Sequence, residues 1–166
     1  APDLDNIPAD GVIKESQNAD AMNIAPAMIY AMEKGAFVIS MSLNGFATGQ
    51  MAVDQNEAMD FVRQKNGLFI QSVSNDSAVD SSVNSIARNL VGQDFENKDW
   101  FLFSLRLDEN LNPAFKNGSP GVLADRTLSV VAQNVQSTAI GGGYAIVNGN
   151  SFAAPTIAGA TALLKQ

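Results

Sequence analysis

Residues 149–166 read GNSFAAPTIAGATALLKQ and set a serine between a Gly-Asn turn signal and an apolar segment at helical spacing. A hydroxyl there stands at the positive end of a buried helix, where free backbone amides can donate to a developing oxyanion. Ala153 and Ala154 are small enough for close packing behind it. Pro155 falls in what reads as the first helical turn, where an amide has no intrahelical partner and proline is tolerated. Taken alone, Ser151 reads first as an N-cap on a core helix. A nucleophilic serine needs a base to take its proton, and the sequence contains no histidine. A Ser-Lys dyad is the chemical substitute, yet Lys165 lies far along the helix and nothing in the sequence places Lys14, Lys34 or Lys65 beside Ser151. The run Gly141, Gly142, Gly143 opens no strand-to-helix phosphate loop and does not satisfy G-x-G-x-x-G.

The elements that must position this serine follow from pattern. In residues 18–35, Ala19, Met22, Ala25, Ile29 and Met32 recur at helical spacing and Gly35 is the stop, with Pro26 expected to kink the helix or delay its start. Residues 36–42 (AFVISMS) form a short β-branched run suited to a buried parallel strand, ended by the turn Leu43-Asn44-Gly45. Residues 51–66 return to helical spacing with Gly67 as stop, and residues 68–74 (LFIQSVS) form the next strand, completing a βαβ unit. Asn75, which follows, reads by itself as a turn residue beside Asp76. Residues 75–99 read as a polar surface excursion with a short helix near 83–90. Strands are expected at 100–107 and 127–132, a hairpin or bulged ribbon at 139–148, and a helix after Ser151. The first eleven residues, with Pro2 and Pro8, read as extended and turn-rich.

Composition bounds the function. A chain of 166 residues with 46% hydrophobic and 16% charged content supports one core, so a single domain over 1–166 is expected. A net charge of −7 with scattered basic residues argues against a nucleic-acid or anionic-membrane surface. No cysteine or histidine is available for a disulfide framework or the common transition-metal sites. No apolar run approaches a membrane span. The opening residue is not methionine, as expected of a processed product or an internal piece of a longer chain.

The motifs are collinear with those of one family. GNSFAAPTIAGATALL resembles the serine motif of the subtilisin-like proteases, G-T-S-M/F-A-x-P-x-V/I-A/S-G followed by an apolar helix. AFVISMSLNG is similar to that family's strand ending M-S-L-G-G, and LFIQSVSND to the strand ending in G-N. LRLDENLNPAFKNGS and TLSVVAQNVQSTAIGGGYAIVNGNS resemble the two stretches that lead on to the family's serine. Even APDLD is similar to the A-P-x-A after its histidine helix.

The resemblance implies an α/β, three-layer α/β/α fold with a mainly parallel sheet, representing the later portion of a subtilisin-like peptidase domain. It implies a serine endopeptidase in which Ser151 forms the acyl-enzyme and Asn75 and the Ser151 amide hold the oxyanion. Ser42, Leu43, Asn44 and Gly45 fall on the family's substrate-pairing edge, a polypeptide binding there as an added strand, with an ordinary strand end and turn as the alternative. Ser72, Val73 and Ser74 fall where the family lines its first specificity pocket, and an inward Val73 would make that pocket shallow.

The departures carry as much weight. The Asp and His segments of the family's triad are not in these residues and are expected upstream, so the chain alone is expected to be inactive and to expose unpaired sheet edges. Gly149-Asn150-Ser151 replaces Gly-Thr-Ser, Ala132-Gln133-Asn134 replaces A-P-G, and Ser74-Asn75 replaces G-N. A sedolisin-type serine-carboxyl peptidase, which needs no histidine, also fits GNSFAAP, with Asp76 next to Asn75. A noncatalytic domain on the same scaffold is the reading from another class. No cofactor is expected; calcium is common in the family, but no acidic cluster here has a recognisable ligand spacing. The family implies an extracellular or cell-surface location, with wording reminiscent of bacterial autotransporter passengers.

Overall fold

The computed structural model describes residues 17–44, 48–83, 87–90, 99–114 and 117–165, the side chains of 17–23 and of 89 excepted. The amino-terminal stretch with Pro2, Pro8 and Lys14 therefore lies outside the described residues, as does Gly45.

Helix α1, Gln17–Glu33, runs through Pro26, so the proline does not delay its start. Pro26 is exposed, while Ala25, Met28 and Met32 are buried three and four residues apart. Packing of that stripe, rather than helix propensity, carries the helix past the proline. Gly35, at φ +87°, ends it as expected: the Ala36 N–H donates to the Ala31 carbonyl at 3.0 Å and the Gly35 N–H to that of Met32 at 3.1 Å. Helix α2, Gly49–Gln64, buries Gln55, Ala58, Met59 and Val62. Its left-handed stop residue is Asn66, at φ +53°, rather than Gly67, whose N–H donates back to the Val62 carbonyl at 2.9 Å.

Four strands, β1 Val38–Met41, β2 Leu68–Ser72, β3 Phe101–Leu107 and β4 Thr127–Val131, pair in the order β1-β2-β3-β4, all parallel. Alternation divides their side chains between two helical layers. Phe69, Val73, Phe101 and Phe103 pack with the buried residues of α1 and α2, the Phe101 and Phe103 rings meeting edge-on at 5.0 Å. Ile70, with Val38, Leu68, Leu102 and Val130, packs on Ala154, Ile157 and Ala158 of α3, Asn150–Leu164. The result is the expected three-layer α/β/α arrangement on a parallel sheet.

Two regions differ from expectation. The stretch after β2 is not purely a surface excursion: it holds 3₁₀ turns at Ser81–Val83 and Ala87–Leu90, and Ser81, Ser82, Ala87 and Leu90 are buried. Residues 84–86 and 91–98 lie outside the described set. The ribbon near the carboxyl end is an antiparallel pair of β5, Val135–Thr138, and β6, Tyr144–Val147, with the three glycines in the connection. Its first strand, VQST, is half polar and too short for periodicity to mark. Leu128, Leu163 and Leu164 stand exposed on β4 and the end of α3.

Candidate active site

Ser42 and Asn75 follow the carboxyl ends of neighbouring parallel strands, since Met41 lies opposite Gln71 in the β1–β2 register. That rim of an open α/β sheet is where ligands bind. Helix α3 crosses β1, β2, β3 and β4 and brings its amino end to the same rim.

The start of α3 corrects the local reading of Ser151. Gly149 occupies the N-cap position with φ 157° and ψ 154°, Asn150 is the first helical residue and Ser151 the second, so Ser151 is not a cap. A side chain at Gly149 would be strained in that backbone region, and a Cβ there would stand 3.6 Å from the Asn75 amide nitrogen. Pro155 is the sixth helical residue and lies past the first turn. Its absent N–H is the one that an α-helix would direct at the Ser151 carbonyl. The Ser42 hydroxyl takes that place, donating to the Ser151 carbonyl oxygen at 2.7 Å. In return the Ser151 hydroxyl makes a long contact of 3.4 Å with the Ser42 carbonyl.

Asn75 is exposed and its orientation is fixed from the helix: its Oδ1 accepts the Asn150 N–H at 2.9 Å. Its Nδ2 then has no protein acceptor among the described residues. Of the first three amides of α3, that of Asn150 goes to Asn75 and that of Phe152 to the Gly149 carbonyl at 3.1 Å. The Ser151 N–H between them has no protein acceptor among the described residues. The half-buried Ser151 thus carries one unspent donor on its own backbone, and Asn75, bonded to the residue before it, carries another.

The strand ends are pinned together. The Ser74 N–H donates to Ser81 Oγ at 3.0 Å, and the Ser74 carbonyl accepts from the Gly118 N–H at 2.8 Å and from Asn150 Nδ2 at 2.8 Å. Gln71 Nε2 donates to the Leu43 carbonyl at 3.2 Å, and Asn44 Nδ2 to Ser72 Oγ at 3.2 Å. Leu43 and Asn44 are exposed; Ser72 and Ser74 are buried. Val73 is fully buried in the core beside Phe69 and Phe103, so its side chain points away from the rim and the shallow-pocket expectation does not rest on it. The residues that sequence reasoning passed over are Gln71, Asn117 and the side-chain role of Asn150. Asn150 registered only as a departure from G-T-S, because its partners lie 33 to 76 residues away.

No described lysine replaces the missing histidine. Lys165 Nζ lies over the Phe37 ring at 4.1 Å, before the start of β1 and at the opposite end of the sheet from Ser42. Lys34 and Lys65 sit over Tyr30 and Phe61 of α1 and α2. Among the described residues no group of three or more His, Cys, Asp or Glu is placed to hold a metal ion, and no helix is long and apolar enough to cross a membrane.

The sequence profile of the Subtilase family matches residues 1–166, and the chain belongs to that family. Solved structures place it on the same fold. The prenylagaramide maturation protease PagA superposes with a TM-score of 0.70 at 19% identity, covering 87% of this chain and 49% of its own. The nisin leader peptidase NisP from Lactococcus lactis gives 0.63 at 18% identity over 86% and 51%, and sphericase 0.61 at 18% over 86% and 48%. The chain therefore spans about half the length of those solved proteins. No curated protein matches its sequence.

Proposed function

We propose that the polypeptide to which this chain belongs is a serine endopeptidase acting through an acyl-enzyme at Ser151. The observation that carries this reading is the pair of unspent donors, Asn75 Nδ2 and the Ser151 N–H, beside a half-buried hydroxyl at the carboxyl rim of the sheet. Attack on a peptide carbonyl puts negative charge on its oxygen, and one oriented donor at that oxygen contributes about 2.7 to 4 kcal/mol to the transition state. The substrate chain lies along the Ser42–Asn44 backbone as an added strand. The proton of Ser151 leaves to a His held by an Asp, both supplied by sequence outside these 166 residues, since this sequence has no histidine and the Ser42 carbonyl is no base. The location is extracellular or at a cell surface, in keeping with the family resemblance.

The test is labelling with a serine-reactive fluorophosphonate, mapped by mass spectrometry. The longer polypeptide is expected to be modified at Ser151 quickly and stoichiometrically, and the 166-residue chain alone not at all. Failure of the longer polypeptide to label overturns the peptidase reading in favour of a noncatalytic domain on the same scaffold. The specific observation on that side is the resting contact of the Ser151 hydroxyl, which is to a carbonyl.

A further inference from the structure

The geometry points to Asn150 as a positioning residue that locks the two oxyanion donors into one frame, an assignment that rests on the peptidase reading of Ser151 and Asn75. Asn150 is completely buried, and its side chain uses both N–H donors and its acceptor. Nδ2 donates to the Ser74 carbonyl at 2.8 Å and to Asn117 Oδ1 at 3.2 Å. Oδ1 accepts the backbone N–H of Arg106 at 2.6 Å.

These bonds close a ring. Asn117 Nδ2 donates to the Arg106 carbonyl at 2.7 Å, so Asn150, Asn117 and the main chain of Arg106, through the N–H and C=O on either side of its Cα, each give to the next and receive from the last. The ring ties the first residue of α3 to β3 through Arg106 and to the loop at Asn117, and the remaining N–H ties it to Ser74 past the end of β2. Ser74 is the residue before Asn75, and the Asn150 backbone N–H itself holds Asn75 Oδ1 at 2.9 Å. The residue after Asn150 is Ser151, whose N–H is the second donor. One side chain therefore sets the separation of the two donors from a fully desolvated anchor, where a satisfied network is rigid.

No other small side chain repeats this. A serine or threonine hydroxyl has one donor and cannot serve the Ser74 carbonyl and Asn117 Oδ1 together. Aspartate keeps the acceptor for Arg106 and loses both donors. Loss of the ring frees the start of α3 to shift against the end of β2, and a displacement of about 1 Å at a catalytic constellation costs on the order of 10²-fold in rate. None of the bonds of the Asn150 side chain is to the Ser151 hydroxyl, so the loss is expected on kcat.

The experiment is a double-mutant cycle between Asn150→Ala and Asn75→Ala in the full polypeptide, reading kcat and KM on a peptide substrate. Asn150→Ala alone is expected to lower kcat by roughly 10- to 100-fold with KM within about twofold. In the Asn75→Ala background its effect on kcat should be smaller by at least about threefold, since one of the two donors it holds in register is already gone. Multiplicative losses, or an unchanged kcat in Asn150→Ala, overturn the proposal. If Asn150→Ala does not fold, Asn150→Ser, which keeps one donor and one acceptor, enters the same cycle with the same criterion. The peptidase reading fails separately: Asn75→Ala alone then leaves kcat at the parent value, and the assignment of Asn150 falls with it.

Discussion

Replacing Ser42 by alanine should destabilise the chain through a carbonyl made dependent on Ser42 by a proline at the sixth residue of α3. Pro155 offers no N–H to the Ser151 carbonyl, and the 2.7 Å bond from Ser42 Oγ supplies the donor instead. The site is half-buried, so water replaces the lost hydroxyl only in part. The expected cost of Ser42→Ala is about 1 to 2 kcal/mol, from the lost hydrogen bond and the acceptor left poorly paired. For a domain of this size that corresponds to a fall of roughly 2 to 8 °C in melting temperature. Pro155→Ala restores an N–H at the position that faces the Ser151 carbonyl, and the two substitutions should therefore couple. In the Pro155→Ala background the cost of Ser42→Ala should shrink by at least about 0.5 kcal/mol, measured as the interaction energy of the cycle by urea unfolding. An equal cost in both backgrounds would refute the exchange of partners between the helix amide and the Ser42 hydroxyl.

Further expectations concern the same rim and its support. Gly149→Ala forces a side chain into a backbone region that is nearly closed to it, and should cost about 1 to 3 kcal/mol in urea unfolding. Asn44→Gly removes the bond to Ser72 Oγ that links the two strand ends. It should cost about 0.5 to 1.5 kcal/mol in urea unfolding, the net worth of one side-chain hydrogen bond. Phe101→Ala, at the centre of the aromatic cluster and fully buried, should cost about 3 to 5 kcal/mol by the same unfolding assay.

How far the sequence could be read is clear from particular residues. The parallel strands stood out because AFVISMS, LFIQSVS and WFLFSLRL are apolar runs bounded by turn residues, and both faces of such a sheet are covered. Gly35 was legible as a helix stop because few other residues accept its φ of +87°. Pro26 left a delayed start open, and the helix begins at Gln17 all the same, held by the buried stripe of Ala25, Met28 and Met32, a tertiary contact that local chemistry does not encode. Pro155 misled: the helix starts with Asn150, which moves the proline beyond the free amides and creates the need that Ser42 meets 109 residues away. Ser151 and Asn75 were visible through family motifs, yet the amide that orients Asn75 belongs to Asn150, a contact spanning 75 residues that no local pattern encodes.

The most direct test of the central claim is the kcat/KM for peptide cleavage by the full polypeptide with Ser151 replaced by alanine. Loss of the hydroxyl that forms the acyl-enzyme should reduce it by roughly 10⁶-fold, to the level left by substrate binding and the oxyanion donors alone. Cleavage by Ser151→Ala at the parent rate would contradict the account.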